Sequence, residues 1–139
     1  MKHVLDTTVF NRVLDGLFDL SSLPNAAGLV ATLVQVRELD ATKDESRRAA
    51  LHQVFQEVAP DLEQAAFSFD TPGAGFDEGE WSSDPKIAEL AKALKPHRNN
   101  WKDALIAGTA LKNGYALATA DQNLAEVAKS FGIEVFVAP

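Results

Sequence analysis

The chain has 139 residues, 46% of them hydrophobic, which suits one domain with a real core and excludes a disordered polymer. It contains no cysteine, which excludes disulfides and thiolate zinc sites and fits a reducing cytoplasm, the expected location. Its formal net charge of −7 argues against a general polyanion-binding surface; no apolar run is long enough for a membrane span, and the start reaches Asp6 too soon for a signal peptide.

Val4-Leu5 reads as a short buried strand ending at Asp6. Thr7 or Thr8 then caps a helix through Asn11–Leu14 to Gly16, and Ser21–Asn25 is a loop. Gly28–Val34 is a second apolar strand, continuous enough to be covered on both faces. Glu38 follows on a short helix. Thr42-Lys-Asp-Glu45 has the form of a capping box opening a helix to Ala59, with Leu51, Val54, Phe55 and Val58 on one face and Pro60 as the stop.

Phe67 leads into an acidic, Gly-rich insertion around residues 68–83, expected as a mobile loop. Asp84-Pro85 starts a helix with Ile87, Leu90, Ala91 and Leu94 on its apolar face, ended by Pro96. Asn99 or Asn100 caps the next helix, which runs to Asn113 with Gly114 as its C′ residue. Tyr115–Thr119 is a strand, Asp121 follows it, a helix runs through Leu124, Val127 and Ala128 to Gly132, and Ile133–Val137 is the last strand. Strands alternating with helices predict an α/β fold with a mostly parallel sheet and right-handed crossovers. No internal repeat or linker divides the chain, so residues 1–139 are expected to form one domain.

Asp6, Glu38, Asp103 and Asp121 all fall at strand ends or in first helical turns, on the sheet edge where open α/β folds build their sites. Carboxylates gathered there raise one another's pKa values, and a divalent cation reverses that penalty. Oxygen-only ligation favours Mg²⁺ or Mn²⁺ over Zn²⁺, and such ions promote phosphodiester hydrolysis. Taken singly, Asp103 also fits a helix start, Asp121 a turn or N-cap, and Glu38 a solvated helix face. Asp6, in a buried segment, needs a partner in any reading. His3, His52 and His97 are dispersed, and Gly73-Ala-Gly75 lacks the Lys-Ser/Thr of a phosphate loop.

Val4-Leu5-Asp6-Thr7-Thr8-Val9-Phe10, Arg37-Glu38-Leu39, Asp103-Ala-Leu-Ile-Ala107-Gly-Thr-Ala110 and Leu117-Ala-Thr119-Ala-Asp121 resemble, in order and spacing, the four acidic motifs of PIN-domain nucleases. The resemblance implies a single-domain α/β/α sandwich with a parallel sheet of about five strands in the order 3-2-1-4-5. It implies a Mg²⁺- or Mn²⁺-dependent ribonuclease with Asp6, Glu38, Asp103 and Asp121 as catalytic, metal-binding acids, and with Thr7 and Thr119 supporting the site. The length resembles VapC-like toxins of type II toxin–antitoxin pairs, which implies RNA as substrate, a small antitoxin as partner and a homodimer. The insertion has no counterpart in the typical toxin.

Arg12, His97, Arg98 and Lys102 lie near the motifs and are candidates for RNA phosphates, each also reading as ordinary solvated surface. Trp101 reads as core at helical spacing with Leu105, with base stacking as the alternative, and Trp81 in the insertion as a stacking or partner residue. A non-catalytic PIN-like interaction module is the alternative. A phosphatase with Asp6 as nucleophile would carry a second Asp two residues on, where this chain has Thr8.

Overall fold

Short apolar runs, each closed by a helix-capping residue, set the architecture. In a computed structural model the described residues are 2–23, 28–58, 60–63, 65–67, 79–81, 85–94 and 100–139. The strands are β1 (His3–Leu5), β2 (Leu29–Ala31), β3 (Asp61–Leu62), β4 (Ala65–Phe67), β5 (Gly79–Trp81), β6 (Ala116–Thr119) and β7 (Val135–Val137). The helices are α1 (Thr7–Leu14), α2 (Leu33–Asp40), α3 (Glu45–Val58), α4 (Pro85–Leu94), α5 (Asn100–Asn113) and α6 (Gln122–Ser130), with a 3₁₀ turn at Leu20–Ser22 inside the expected loop.

One sheet has the order β3-β2-β1-β6-β7, with every pairing parallel. Numbered within that sheet alone, this is the expected 3-2-1-4-5. Its strands alternate faces. Val4, Val30 and Leu117 pack with Leu90 and Leu94 of α4, Leu105 and Ile106 of α5, and Leu124 of α6. Leu5 and Ala118 pack the other way, with Val9 and Phe10 of α1 and Leu51 and Val54 of α3. Phe55 and Val58 complete the expected apolar face of α3 from a half-buried position.

The predicted strand Gly28–Val34 is shorter than expected. Thr32 caps α2, its hydroxyl accepting from Val34 N, while Gln35 Oε1 accepts from Thr32 N at 2.9 Å. The capping box turns the chain out of the sheet before Leu33 and Val34, so the apolar run continues as helix. The box expected at Thr42–Glu45 gives way to a single cap, Asp44, whose Oδ1 accepts from Arg47 N at 3.0 Å. At α1 the cap is Asp6 itself rather than Thr7 or Thr8.

Strand β3 was not readable in the sequence. It has only two residues, both exposed, and takes its place by hydrogen bonding to β2 rather than by burial. Gly79–Trp81 lies in the stretch expected to be a loop, yet pairs in parallel with Ala65–Phe67 as a separate two-stranded sheet. The remainder of the insertion, 68–78 and 82–83, lies outside the described residues, as do Asp84 and Pro96. Gly114 and Gly132 follow α5 and α6 with φ of +67° and +82°, the left-handed conformation expected of a C′ residue.

Candidate functional site: an acidic crevice at the switch point

Strand β1 pairs with β2 on one side and β6 on the other. The connections therefore leave in opposite directions at its carboxyl end, and a crevice opens there. Asp6 stands at that end. Its N–H donates to Ala118 O at 2.9 Å, continuing the β1–β6 ladder by one rung. Its carboxylate is buried, at 4% exposure. Oδ1 accepts from Thr7 N at 2.8 Å, and Oδ2 accepts from the hydroxyls of Thr8 at 2.8 Å and Thr119 at 2.7 Å.

Those two hydroxyls also accept in turn. Ala120 N donates to Thr8 Oγ1 at 2.9 Å, and Asp121 N to Thr119 Oγ1 at 3.0 Å. Each hydroxyl has one proton, already spent on Asp6, so the 3.4 Å approach of Thr8 to Thr119 adds no further bond. The pair staples the first turn of α1 to the β6–α6 turn that carries Asp121. Thr119 was expected in a supporting role. Thr8 was missed as a support, although a hydroxyl two residues after a buried acid is the signal that marks it.

Asp121 caps α6, with Oδ1 accepting from Asn123 N at 2.9 Å and Leu124 N at 3.1 Å. Glu38 is half-buried on α2, and its Oε1 accepts from Thr7 Oγ1 at 2.7 Å. Thr7 thus touches two of the acids, one through its backbone and one through its hydroxyl. Asp103 sits in the first turn of α5.

The acids are electrostatically one group. Burial pushes the Asp103 carboxyl up to about 8, and the charges of Asp6, Asp121 and Glu38 add to the shift against Lys102. Burial likewise raises Asp6, opposed by its bonds from Thr119, Thr8 and Thr7 and assisted by the Asp121 charge. Burial raises Glu38, with the Thr7 bond opposing, Asp6 adding and Lys102 opposing. Among the described residues, no three Asp, Glu or His side chains are gathered closely enough to hold one ion between them as they stand.

The donor set has the chemistry, though not the present spacing, of a hard-dication site. It is all oxygen, and three of its carboxyls are displaced towards protonation, a displacement that a positive ion reverses. What the fit requires is that the half-buried Glu38, Asp103 and Asp121 close on the ion around a fixed Asp6. A cleft of about 260 Å³ between Gly114, Tyr115, Gly132 and Glu134 opens at the other, amino edge of the sheet and contains none of the four acids. Buried charge, not cavity size, locates this site.

The candidate cations are placed unevenly. Lys102 acts on both Glu38 and Asp103. Arg12 instead donates from Nε to Pro139 O at 3.0 Å, on the surface. His97 and Arg98 lie outside the described residues, and the side chains of Trp81 and Trp101 are not described. His52, expected to be an ordinary helix residue, meets Asp40 at 2.7 Å.

Thr119→Val tests the staple. It keeps the shape, removes a donor to a buried carboxylate and leaves Asp121 N without its acceptor. The expected cost is about 1–3 kcal/mol, read as a lowered denaturation midpoint at an unchanged slope. Serine in place of Thr119 should restore most of it. Equal stability of the valine and serine variants would remove the staple from the account.

The fold and site together define a parallel α/β protein with an acidic crevice at the carboxyl edge of its sheet. The comparisons are specific. Residues 78–130 match the family model of the PIN domain, and the chain has the PIN-type fold that its motifs resemble. It is similar to a VapBC-5 structure of the VapBC toxin–antitoxin family from Mycobacterium tuberculosis, with 22% identity over 99% of this chain and 98% of that one, at a TM-score of 0.55. It is also similar to FitAcB from Neisseria gonorrhoeae, with 17% identity over 96% of each chain and a TM-score of 0.53. VapBC2 from Rickettsia felis, bound to a DNA fragment from its promoter, matches over 100% of both chains at 12% identity and a TM-score of 0.54. No curated protein matches the sequence. Among the described residues, no helix is long and apolar enough to cross a membrane.

Proposed function

We propose that the chain is a Mg²⁺- or Mn²⁺-dependent endoribonuclease, the toxin of a type II toxin–antitoxin pair acting in the cytoplasm. The observation that carries this reading is the buried Asp6, held by three donors, with Asp103 pushed up to about 8 by burial and by the other three acids. Such an arrangement destabilises the empty site and favours a cation. Asp6, Asp103 and Asp121 would hold the ion, and Glu38 would complete the site or orient a water. When bound, a dication supplies Lewis-acid polarisation of a phosphodiester and acidifies water.

The chain's own residues do the rest. Thr8 and Thr119 fix the rotamer of Asp6, so one donor is already placed when substrate arrives. Thr7 holds Glu38 beside it. Lys102, set against Glu38 and Asp103, offers positive charge to a phosphate oxygen that would otherwise meet only acids. Cleavage leaving 5′-phosphate and 3′-hydroxyl ends is the expected outcome. A small antitoxin and a homodimer are proposed from the toxin–antitoxin complexes that share the fold. A basic side chain of the antitoxin, placed among the acids, would silence the site by occupying the position of the ion.

Incubation of the purified protein with a mixed RNA pool, with and without EDTA, tests the reading. Cleavage that needs Mg²⁺ or Mn²⁺ and stops with EDTA is expected. The alternative, a non-catalytic interaction module, is favoured by the spacing of the acids, no three of which are within ligating reach of one ion among the described residues. If millimolar Mn²⁺ leaves the melting temperature unmoved and RNA stays intact, the module reading stands.

A further inference from the structure

Gln35 is the only polar residue among the largest fully buried side chains of the described residues. Its amide is spent in an unusual way. In the parallel ladder, His3 pairs with Leu29 and its N–H donates to Gly28 O. That register makes Thr32 N the donor and Leu5 O the acceptor of the third β1–β2 rung beyond it. The rung is not made. Thr32 N donates instead to Gln35 Oε1 at 2.9 Å, and Gln35 Nε2 donates to Leu5 O at 2.9 Å. The side-chain amide is inserted into the ladder as a substitute peptide group, satisfying both backbone atoms while holding the strand ends apart.

The consequence falls on the acids. Leu5 is followed by Asp6 and Thr7, and Gln35 lies one helical turn before Glu38. The α2 helix is thus tied to the end of β1 at two points, through the Gln35 amide and through the Thr7 hydroxyl on Glu38 Oε1 at 2.7 Å. We propose that Gln35 is a positioning residue of the acidic site: its amide replaces one rung between β1 and β2, and the resulting stand-off of α2 places Glu38 against Thr7 and beside Asp6. On the β6 side, by contrast, Asp6 N meets Ala118 O directly. The sheet is therefore opened on one side of Asp6 only, the side from which Glu38 enters.

The activity consequence rests on the ribonuclease reading; the geometric one does not. In Gln35→Ala, Thr32 N is expected to close on Leu5 O, and α2 to shift so that Glu38 leaves hydrogen-bond reach of Thr7. A crystal structure of the variant reads this directly. For RNA cleavage, kcat is expected to fall roughly 10- to 100-fold with KM little changed. In a Glu38→Gln background the same change should cost less than about threefold, because a residue acting through Glu38 has nothing left to act on. A merely structural role would give additive losses.

Should Gln35→Ala not fold, Gln35→Glu keeps the size, and in its protonated form both donates to Leu5 O and accepts from Thr32 N. At pH 5 its structure should retain the bridge and the Thr7–Glu38 contact. A closed rung with Glu38 unmoved, a retained bridge with Glu38 displaced, or additive losses in the cycle would each overturn the proposal. Intact RNA with the unaltered protein overturns the ribonuclease reading alone, and the structures still decide the role of Gln35.

Discussion

Asp6→Asn is expected to abolish metal-dependent RNA cleavage, lowering kcat by about a thousandfold or more, while leaving the protein folded. On the proposed reading, Asp6 would hold the ion, and the magnitude follows from removing the charge that would stabilise a cation worth several kcal/mol to the reaction. The stability expectation has a separate cause. Asn is as good an N-cap as Asp, so the bond from Thr7 N to the side-chain oxygen survives. The lost charge is a buried one that raises the Asp103 carboxyl. Against this, the amide end faces the Thr8 and Thr119 hydroxyls, which must turn their protons elsewhere. Removal of the buried carboxylate charge offsets that loss, and without metal the melting temperature is expected to be little changed. A variant that is both active and destabilised would contradict the roles given to Asp6. Side-by-side measurement of cleavage and thermal unfolding separates the two effects.

The second expectation concerns pH and metal together. The folded-state pKa of Asp103 lies at about 8, against an ordinary 3.8. Between those values the folded protein keeps a proton that the unfolded chain gives up. The stability this group contributes is complete below 3.8 and is lost as pH rises through 8. Asp6 and Glu38, also raised, act in the same direction. In EDTA the unfolding free energy, and with it the melting temperature, should fall across the Asp103 window, with a limiting slope of about 1.4 kcal/mol per pH unit from that group.

A divalent cation must displace those protons, so Mn²⁺ should stabilise more at pH 8 than at pH 5. At a hundredfold excess over its dissociation constant the gain is about 2.7 kcal/mol. Asp103→Asn should flatten the EDTA profile and blunt the Mn²⁺ response. A flat profile in the unaltered protein would show that the acids are not mutually destabilising. Differential scanning calorimetry across pH, with and without Mn²⁺, provides both measurements.

Much of the site was legible because its residues are local exceptions to their surroundings. Asp6 interrupts a buried apolar run, and Asp103 and Asp121 sit at helix starts following recognisable stops. The helices from Asn100 and Gln122, with Gly114 and Gly132 beyond them, show the same agreement between propensity and fold. Where two local signals competed, the sequence misled. The run from Gly28 to Val34 looked like one strand, but the Thr32–Gln35 capping box ends it at Ala31. The two-residue β3 and the pairing of Gly79–Trp81 with Ala65–Phe67 carry no periodicity to read.

By itself, then, the sequence determined the alternation of strands and helices, the apolar faces, and which four acids stand at the sheet's carboxyl edge. These follow from period, capping and strand-end position, which are properties of neighbouring residues. Tertiary structure alone decided that Thr119 joins Thr8 on Asp6, that burial with three neighbouring charges lifts Asp103, and that Gln35 takes the place of a backbone rung. The contacts that decide them join Gln35 to Leu5 and Thr119 to Asp6, 30 and 113 positions apart in the chain, and no local rule connects atoms that only folding brings together.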